Sequence, residues 1–185
     1  MEDRILRQIV EELACNEKMI SQKEIDQFAD RILKAKRIFV SGTGRSGFAA
    51  RAFSNRLMHL GFTVYFVGEP TTPAIREGDL LIIGSGSGET ESLVVMAEKA
   101  REQKASVITV TIHPEAAIGS LAETFIQIPG ATPKSKLDDT VRSVQPMGNV
   151  FEQMSWLVYD AVIIILMKRM NRTEEEMFRL HANLE

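Results

Sequence analysis

Two short Gly/Ser-rich segments constrain the fold most strongly, because each lies between an apolar run and a stretch with helical periodicity. The segment 41–47 (SGTGRSG) follows the run 37–40, and the segment 85–90 (SGSGET) follows the run 79–84. A glycine-rich turn that leaves a strand and opens a helix directs backbone N–H groups and the positive helix end toward one point, which favours phosphate. Two such turns in one sheet favour a phosphorylated sugar over a nucleotide. Side-chain hydroxyl groups add further hydrogen-bond donors and acceptors for phosphate and sugar oxygens; they belong to Ser46, Ser85, Ser87 and Thr90.

Strands and helices alternate along the chain after a helical pair at about residues 1–35. Apolar strands without polar alternation, separated by helices, indicate an α/β fold with a parallel five-stranded sheet covered on both faces, in a single domain. Right-handed crossovers place both Gly/Ser loops at the carboxyl edge of the sheet, where such folds bind ligands. The predicted strands are 37–41, 62–67, 79–84, 105–111 and 124–128, and the predicted helices are 4–14, 23–35, 46–60, 89–103, 114–122, 150–170 and 173–181.

Composition excludes several function classes. The formal net charge is −3 and the sequence has no Lys/Arg cluster, so it lacks the positively charged patch that is typical of nucleic-acid binding. The one cysteine, Cys15, excludes an internal disulfide, and we expect it to be buried on a helix; the three scattered histidines predict no metal site. No signal peptide is visible, and the longest apolar run, 161–167, is far shorter than the roughly 18 residues of a membrane span. We therefore expect a cytoplasmic protein with no membrane contact.

The last third of the chain contains a long segment and a very apolar helix. Residues 129–149 include three prolines and little periodicity, as in functional or mobile excursions. The predicted helix 150–170 has almost no polar face. Because a domain of this size cannot bury such a helix alone, we expect a homo-oligomer.

The first loop also matches the dinucleotide fingerprint, as Gly42-x-Gly44-x-x-Gly47, with Glu69 where a ribose-binding acid belongs. An Arg-Ser pair inside the loop, the hydroxyl-rich second loop and the lack of a second domain count against a nicotinamide site. A further interpretation is that the glycines serve only tight packing between strand and helix. Neither loop ends as a P-loop does, which argues against ATP hydrolysis.

Glu152 is the carboxylate that we single out, because it follows the long segment in the first turn of the apolar helix. Asn149 and Glu152 have capping-box spacing, so in one interpretation the carboxylate caps the helix. In the other it is the base in a proton transfer. His59 lies about 20 Å along its helix from the first loop and could reach a site only from a neighbouring chain. His181 is expected in a solvated tail.

The chain resembles the SIS (sugar isomerase) domain family and, within it, the 6-phospho-3-hexuloisomerase group. The resemblance runs over nearly the whole chain through the segments 41–47, 55–61, 85–90, 146–152 and 181–185. It implies a flavodoxin-like sheet, no cofactor, and a homotetramer with active sites at subunit interfaces. It also implies interconversion of 3-hexulose 6-phosphate and fructose 6-phosphate, in formaldehyde fixation by the ribulose monophosphate pathway.

The resemblance further implies roles for individual residues. Glu152 would move a proton between C2 and C3 through a cis-enediol, and His181 and His59 are catalytic candidates supplied by a neighbouring subunit. A different sugar specificity and a non-catalytic sugar-phosphate sensor remain alternatives. The substrate-binding residues that the resemblance implies are Arg45, Ser46, Ser85, Gly86, Ser87, Gly88, Glu89 and Thr90.

Overall fold

The structure, a computed structural model, describes residues 4–130 and 143–184. Most of the predicted excursion 129–149 therefore lies outside the described residues. The strands are β1 (Ile38–Gly42), β2 (Val64–Phe66), β3 (Leu80–Gly84), β4 (Ser106–Thr111) and β5 (Thr124–Gln127). The helices are α1 (Ile5–Glu17), α2 (Gln22–Lys34), α3 (Gly44–His59), α4 (Glu91–Glu102), α5 (Ala117–Leu121), α6 (Asn149–Arg169) and α7 (Glu174–Phe178).

The five strands form one parallel sheet in the order β2-β1-β3-β4-β5, which confirms the predicted α/β architecture with a flavodoxin-like sheet. The order reverses between β1 and β3, because the chain leaves β1 for β2 on one side and returns to β3 on the other. Ligands of open α/β sheets bind at such a switch point. Gly42 pairs with Gly84 in the register, so β1 and β3 end at the same level and their loops begin side by side.

Helices cover both faces of the sheet, which explains why the strands lack polar alternation. Val40 and Ile82 face a core formed with α2, α3 and α6, whereas Phe39 and Ile83 face a second core formed with α4 and α5. All four strand side chains are buried. Burial on both faces of successive strands stabilises the sheet mainly through the hydrophobic effect.

Helix α6 corrects one expectation from the sequence. Its mean hydropathy over an 18-residue window is 1.6, so by length and composition this helix could cross a membrane, contrary to the argument from the run 161–167. Half of that window is buried inside the protein, where α6 packs against α1, α2 and α3. A core helix passes the same test. Three large apolar side chains of α6 remain about half exposed: Trp156, Leu157 and Ile164.

The side chain of Tyr159, on α6, packs against Gly84 at the end of β3. Its ring stacks on Phe53 of α3 with centroids 4.4 Å apart, and its hydroxyl lies 2.8 Å from the point that a Cβ on Gly84 would occupy. The hydroxyl is buried and has no hydrogen-bond partner among the described residues. Burial raises the pKa of the Tyr159 phenol well above its usual range, since the charged form would lose its hydration. Only glycine fits at position 84.

Side-chain caps begin two of the helices. Thr173 and Glu176 form the capping box at the start of α7, with both reciprocal hydrogen bonds present. The Ser21 hydroxyl accepts from the Glu24 N–H at 3.4 Å at the start of α2. The expectation that Cys15 is buried is wrong: it lies on the exposed side of α1.

Candidate active site

The two Gly/Ser loops and the segment before α6 surround one cavity of about 270 Å³ at the carboxyl edge of the sheet. The loop after β1, the loop after β3 and the start of α6 each form one wall. Because β1 and β3 are neighbours, the fold brings together segments that are far apart in the chain. The lining residues are Thr43, Gly44, Arg45, Ser46, Ser85, Gly86, Ser87, Thr90, Pro146, Met147, Gly148, Asn149, Phe151 and Glu152.

The first wall depends on glycine for close packing. A Cβ on Gly47 would lie 2.6 Å from the carbonyl oxygen of Gly42, so the strand and the helix can approach this closely only without a side chain there. Gly44 has φ +59, a left-handed conformation that glycine adopts without strain. The Ser46 hydroxyl donates to the carbonyl oxygen of Thr43 at 2.9 Å. The glycine pattern thus serves packing as well as the shape of the cavity.

Glu69, which the dinucleotide interpretation needed as a ribose ligand, pairs instead with Arg51 of α3. It does not line the cavity. The guanidinium of Arg51 also lies over the Phe66 ring, 4.1 Å from its centroid. The side chain of Glu69 is thus part of a surface cluster beside β2, and the fingerprint match lacks its acidic partner.

The second wall is a turn whose side chains hydrogen-bond to its own backbone. The Ser85 hydroxyl accepts from the Gly88 N–H at 3.2 Å, and the Ser87 hydroxyl accepts from the Glu89 N–H at 3.3 Å. Both hydroxyls can still donate a proton to a ligand oxygen. Thr90 is the N-cap residue of α4 but its hydroxyl makes no capping bond. The positive end of α4 therefore faces the cavity beside three hydroxyl groups.

Two of the predicted substrate-binding residues do not line the cavity. Gly88 has φ +64, and a Cβ there would lie 2.8 Å from the Cβ of Ala116, so this glycine lets the turn pack on the segment after β4. The Glu89 side chain is exposed outside the cavity, and only its backbone bonds within the turn. Both residues shape the loop, whereas Ser85, Gly86, Ser87 and Thr90 face the cavity.

Glu152 faces the first loop across the cavity. Its carboxylate accepts a hydrogen bond from Nε of Arg45, which forms an ion pair between a side chain that is 19% exposed and one that is 65% exposed. The N-cap residue of α6 is Gly148, which offers no side-chain cap, and the backbone N–H of Glu152 donates to its carbonyl oxygen at 3.0 Å. The capping-box interpretation of Asn149 and Glu152 is therefore wrong.

Sequence reasoning did not assign roles to Phe151 and Met147. Phe151 is buried, and its ring lies 3.2 Å from the point that a Cβ on Gly86 would take, so it sets the gap between α6 and the second loop. Met147 is 71% exposed at the cavity with φ +55, which is uncommon for a residue with a side chain. Both residues belong to the motif 146–152, but the sequence analysis gave a chemical role only to Glu152 in that motif.

The two histidine candidates come together with each other and not with Glu152. His59, at the end of α3, and His181, after α7, stack with ring centroids 5.1 Å apart. Arg56 Nη1 lies 3.4 Å from Nδ1 of His59. Both histidines line a second cavity of about 500 Å³ that also includes Asp160. Within residues 4–130 and 143–184, no group of His, Cys, Asp and Glu side chains has the arrangement of a metal site.

Comparisons with known proteins agree with this geometry. A family model for the SIS domain matches residues 31–165. A 3-hexulose-6-phosphate isomerase from Bacillus subtilis is 48% identical over 178 residues, which is 96% of each chain. Another, from Mycobacterium gastri, is 38% identical over 176 residues, covering 95% of this chain and 87% of its own.

A solved structure extends the likeness to three dimensions. It is the crystal structure of a hypothetical protein from Methanococcus jannaschii, for which a molecular function of 3-hexulose-6-phosphate isomerase was inferred. It is 37% identical to this chain with a TM-score of 0.83, covering 97% of this chain and 98% of that one. The chain therefore belongs to the SIS domain family, in the group that contains the 3-hexulose-6-phosphate isomerases.

Proposed function

We propose that this protein is an isomerase that interconverts 3-hexulose 6-phosphate and fructose 6-phosphate, the second step of formaldehyde fixation in the ribulose monophosphate pathway. The observation that carries the proposal is 48% identity over 96% of both chains to an enzyme of that name. The cavity supports it independently, since it combines a helix end and hydroxyl groups suited to phosphate with one carboxylate.

In this proposal the loop after β3 binds the phosphate. The hydroxyls of Ser85, Ser87 and Thr90 and the amides at the start of α4 supply neutral donors, which match the oxygens of a phosphate dianion. Ser46 and Arg45 bind the substrate from the opposite loop. Gly86 contributes its backbone to the cavity, because the Phe151 ring at 3.2 Å and Ile112 at 3.5 Å crowd the point that a Cβ would occupy.

The proposed chemistry requires one base and no cofactor. The carboxylate of Glu152 takes the proton from C2 of the 3-ketose, and the adjacent C2 hydroxyl passes its proton to the C3 oxygen, so the reaction runs through a cis-enediol. The electron pair on the C2 oxygen then forms the new carbonyl, and Glu152 returns its proton to C3. Since both carbons are adjacent and attacked from one face, a single carboxylate serves both transfers.

We further propose a homo-oligomer, a tetramer as in the family, whose subunits pack through the exposed apolar residues Phe48, Trp156 and Leu157. These residues line a depression that also includes Arg45 and Glu152, so a partner placed there would close the open side of the active site. Burial of these apolar side chains between subunits would remove their unfavourable contact with water. His59 and His181 would act only as residues of a neighbouring subunit.

Partners and location follow from the substrate. The small-molecule partner that we propose is the phosphorylated hexulose, and we propose neither a nucleic acid nor a membrane as a partner. Sugar phosphates are charged and are made and used inside the cell, so the proposed location is cytoplasmic.

The decisive experiment supplies 3-hexulose 6-phosphate, made in situ from formaldehyde and ribulose 5-phosphate, and follows the formation of fructose 6-phosphate. Rapid formation that depends on the protein supports the proposal. Conversion of another aldose or ketose phosphate instead would assign a different sugar specificity. Binding of fructose 6-phosphate without turnover of any sugar would assign a sensor and overturn the enzyme.

A further inference from the structure

The third wall of the cavity is held by a residue of the first helix. Glu12 of α1 accepts two hydrogen bonds with its carboxylate, from the backbone N–H of Val144 at 3.3 Å and from Nε2 of Gln145 at 2.9 Å. The segment that follows immediately, 146–149, lines the cavity and leads into α6. One carboxylate thus fixes both the backbone and a side chain of the segment that enters the active site.

The surroundings indicate that this contact is structurally specific. Gln145 is 8% exposed, and its Oε1 is buried without a hydrogen-bond partner among the described residues, so its amide depends on Glu12. Asn16, which is also buried, donates from Nδ2 to the backbone carbonyl oxygen of Glu12 at 2.9 Å, so this bond leaves the Glu12 carboxylate to Val144 and Gln145. Hydrogen bonds to an ionised acceptor are stronger than those between neutral groups.

The wall needs such an external contact because its own conformation is unfavourable. Met147 has φ +55, which residues with a side chain adopt only when their surroundings impose it. Within the wall, the Asn149 N–H donates to the carbonyl oxygen of Pro146 at 3.3 Å. The Gln145 N–H also donates to Oγ of Ser143 at 2.9 Å, but neither of these two bonds involves Met147, the left-handed residue, which is 71% exposed.

We propose that Glu12 is a positioning residue of the active site: it holds the wall 144–149, and with it the start of α6 and Glu152, against the two phosphate-facing loops. The inference rests on the proposed function for its kinetic readout. It gives α1 a role in substrate binding, although no residue of α1 lines the cavity. When the contact is lost, the free protein spends part of its time with a disordered wall, and substrate binding must order it.

The test compares Glu12→Gln with Glu11→Gln in the full-length chain. Glu11 is the matched control, because it is the neighbouring carboxylate on α1 and pairs on the surface with Arg7 at 2.7 Å. We expect Glu12→Gln to raise KM for the sugar phosphate about tenfold, as the loss of a hydrogen bond to a charged group predicts, with kcat changed less than twofold. The control should change neither constant.

Amide hydrogen exchange provides a readout that does not depend on catalysis. We expect faster exchange at 144, 145 and 147–149 in Glu12→Gln, with exchange in β1 and β3 unchanged. Gln145→Glu should disturb the wall more, since it places two carboxylates together. The double variant Glu12→Gln with Gln145→Glu exchanges donor and acceptor, so it should recover slow exchange and a low KM.

Unchanged KM and unchanged exchange in Glu12→Gln would overturn the proposal, as would a double variant no better than the sum of its single changes. If the wild-type protein does not isomerise the sugar, the exchange experiment still decides whether Glu12 holds the wall, now with fructose 6-phosphate as a binding probe. Failure of the proposed function and failure of this inference are therefore distinguishable.

Discussion

The guanidinium of Arg45 and the carboxylate of Glu152 form an ion pair that spans the cavity from the first turn of α3 to the first turn of α6. The same carboxylate is the base in the proposed reaction, and a base must reach its proton directly. A sugar phosphate that enters the cavity therefore has to draw Arg45 aside. Because the Arg45 side chain is 65% exposed, it can turn away without disturbing the core.

Glu152→Gln keeps the shape of the side chain and removes its basicity. We expect turnover of the sugar phosphate to fall by about 10²- to 10⁴-fold. The melting temperature should change little, because Glu152 does not cap α6. Glu91→Gln is the control, since Glu91 is an exposed carboxylate in the first turn of α4. A variant that still exchanges the C2 and C3 protons with solvent at the wild-type rate would exclude Glu152 as the base.

Ser87→Ala should weaken substrate binding while the fold persists. The Ser87 hydroxyl accepts from a backbone N–H of its own turn and can donate to phosphate, so its loss removes one bond to a charged group. We expect KM to rise by about 10- to 100-fold, the equivalent of roughly 1.5–3 kcal/mol. Ser92→Ala, at an exposed position on α4, should leave KM unchanged. An unaltered KM in Ser87→Ala would contradict a phosphate site in this loop.

Trp156→Glu tests the proposed subunit contact. The indole is 48% exposed beside Phe48 and Leu157, and a buried charge at the centre of an interface costs more than the interface regains. We expect light scattering at micromolar concentration to give an oligomer for the wild type and smaller species for the variant. Val95→Glu introduces the same charge on α4, at a side chain that is 40% exposed, and should not dissociate it. A wild-type monomer would refute the contact and remove His59 and His181 as catalytic candidates.

Tyr159→Phe should change how stability depends on pH. Burial raises the pKa of this phenol in the folded state, whereas the unfolded chain keeps the usual value of about 10. The contribution of Tyr159 to the free energy of unfolding is therefore constant below about pH 10. It falls as the pH rises above that value, because only the unfolded state then releases the phenol proton. The variant should lose this alkaline dependence.

At neutral pH, Tyr159→Phe should unfold at the same or higher temperature, because it removes a buried hydroxyl that has no partner among the described residues. Tyr65→Phe is the control, at a tyrosine of β2 that is only partly buried, and it should keep the alkaline loss. Equal alkaline unfolding of the wild type and Tyr159→Phe would contradict the argument.

The sheet and both loops were predictable because their signals are local. The apolar runs before residues 41 and 85 marked β1 and β3, and the crossover rule then placed both loops at one edge. The capping interpretation of Glu152 was wrong because it missed a contact between distant parts of the chain. Glu152 has capping spacing to Asn149 but pairs with Arg45, 107 positions away, and no periodicity reports such a partner.

Distance along the chain also hid two other contacts. His181 was expected in a solvated tail; it is exposed, but the segment after α6 also brings its ring onto that of His59. Glu12 and Gln145 are 133 positions apart, and helical propensity in α1 contains no information about what the helix touches. Sequence patterns report what a residue does within its own element, and these side chains act between elements.

The contact between Gly84 and the Tyr159 hydroxyl has a genetic consequence. Alanine at position 84 would place its Cβ 2.8 Å from that oxygen, whereas phenylalanine at position 159 removes the oxygen altogether. The two substitutions should therefore behave as a lesion and its suppressor: Gly84→Ala alone is harmful, and Tyr159→Phe restores it. During evolution, Tyr159→Phe would therefore have to precede Gly84→Ala. A single hydroxyl group fixes the order of these two substitutions.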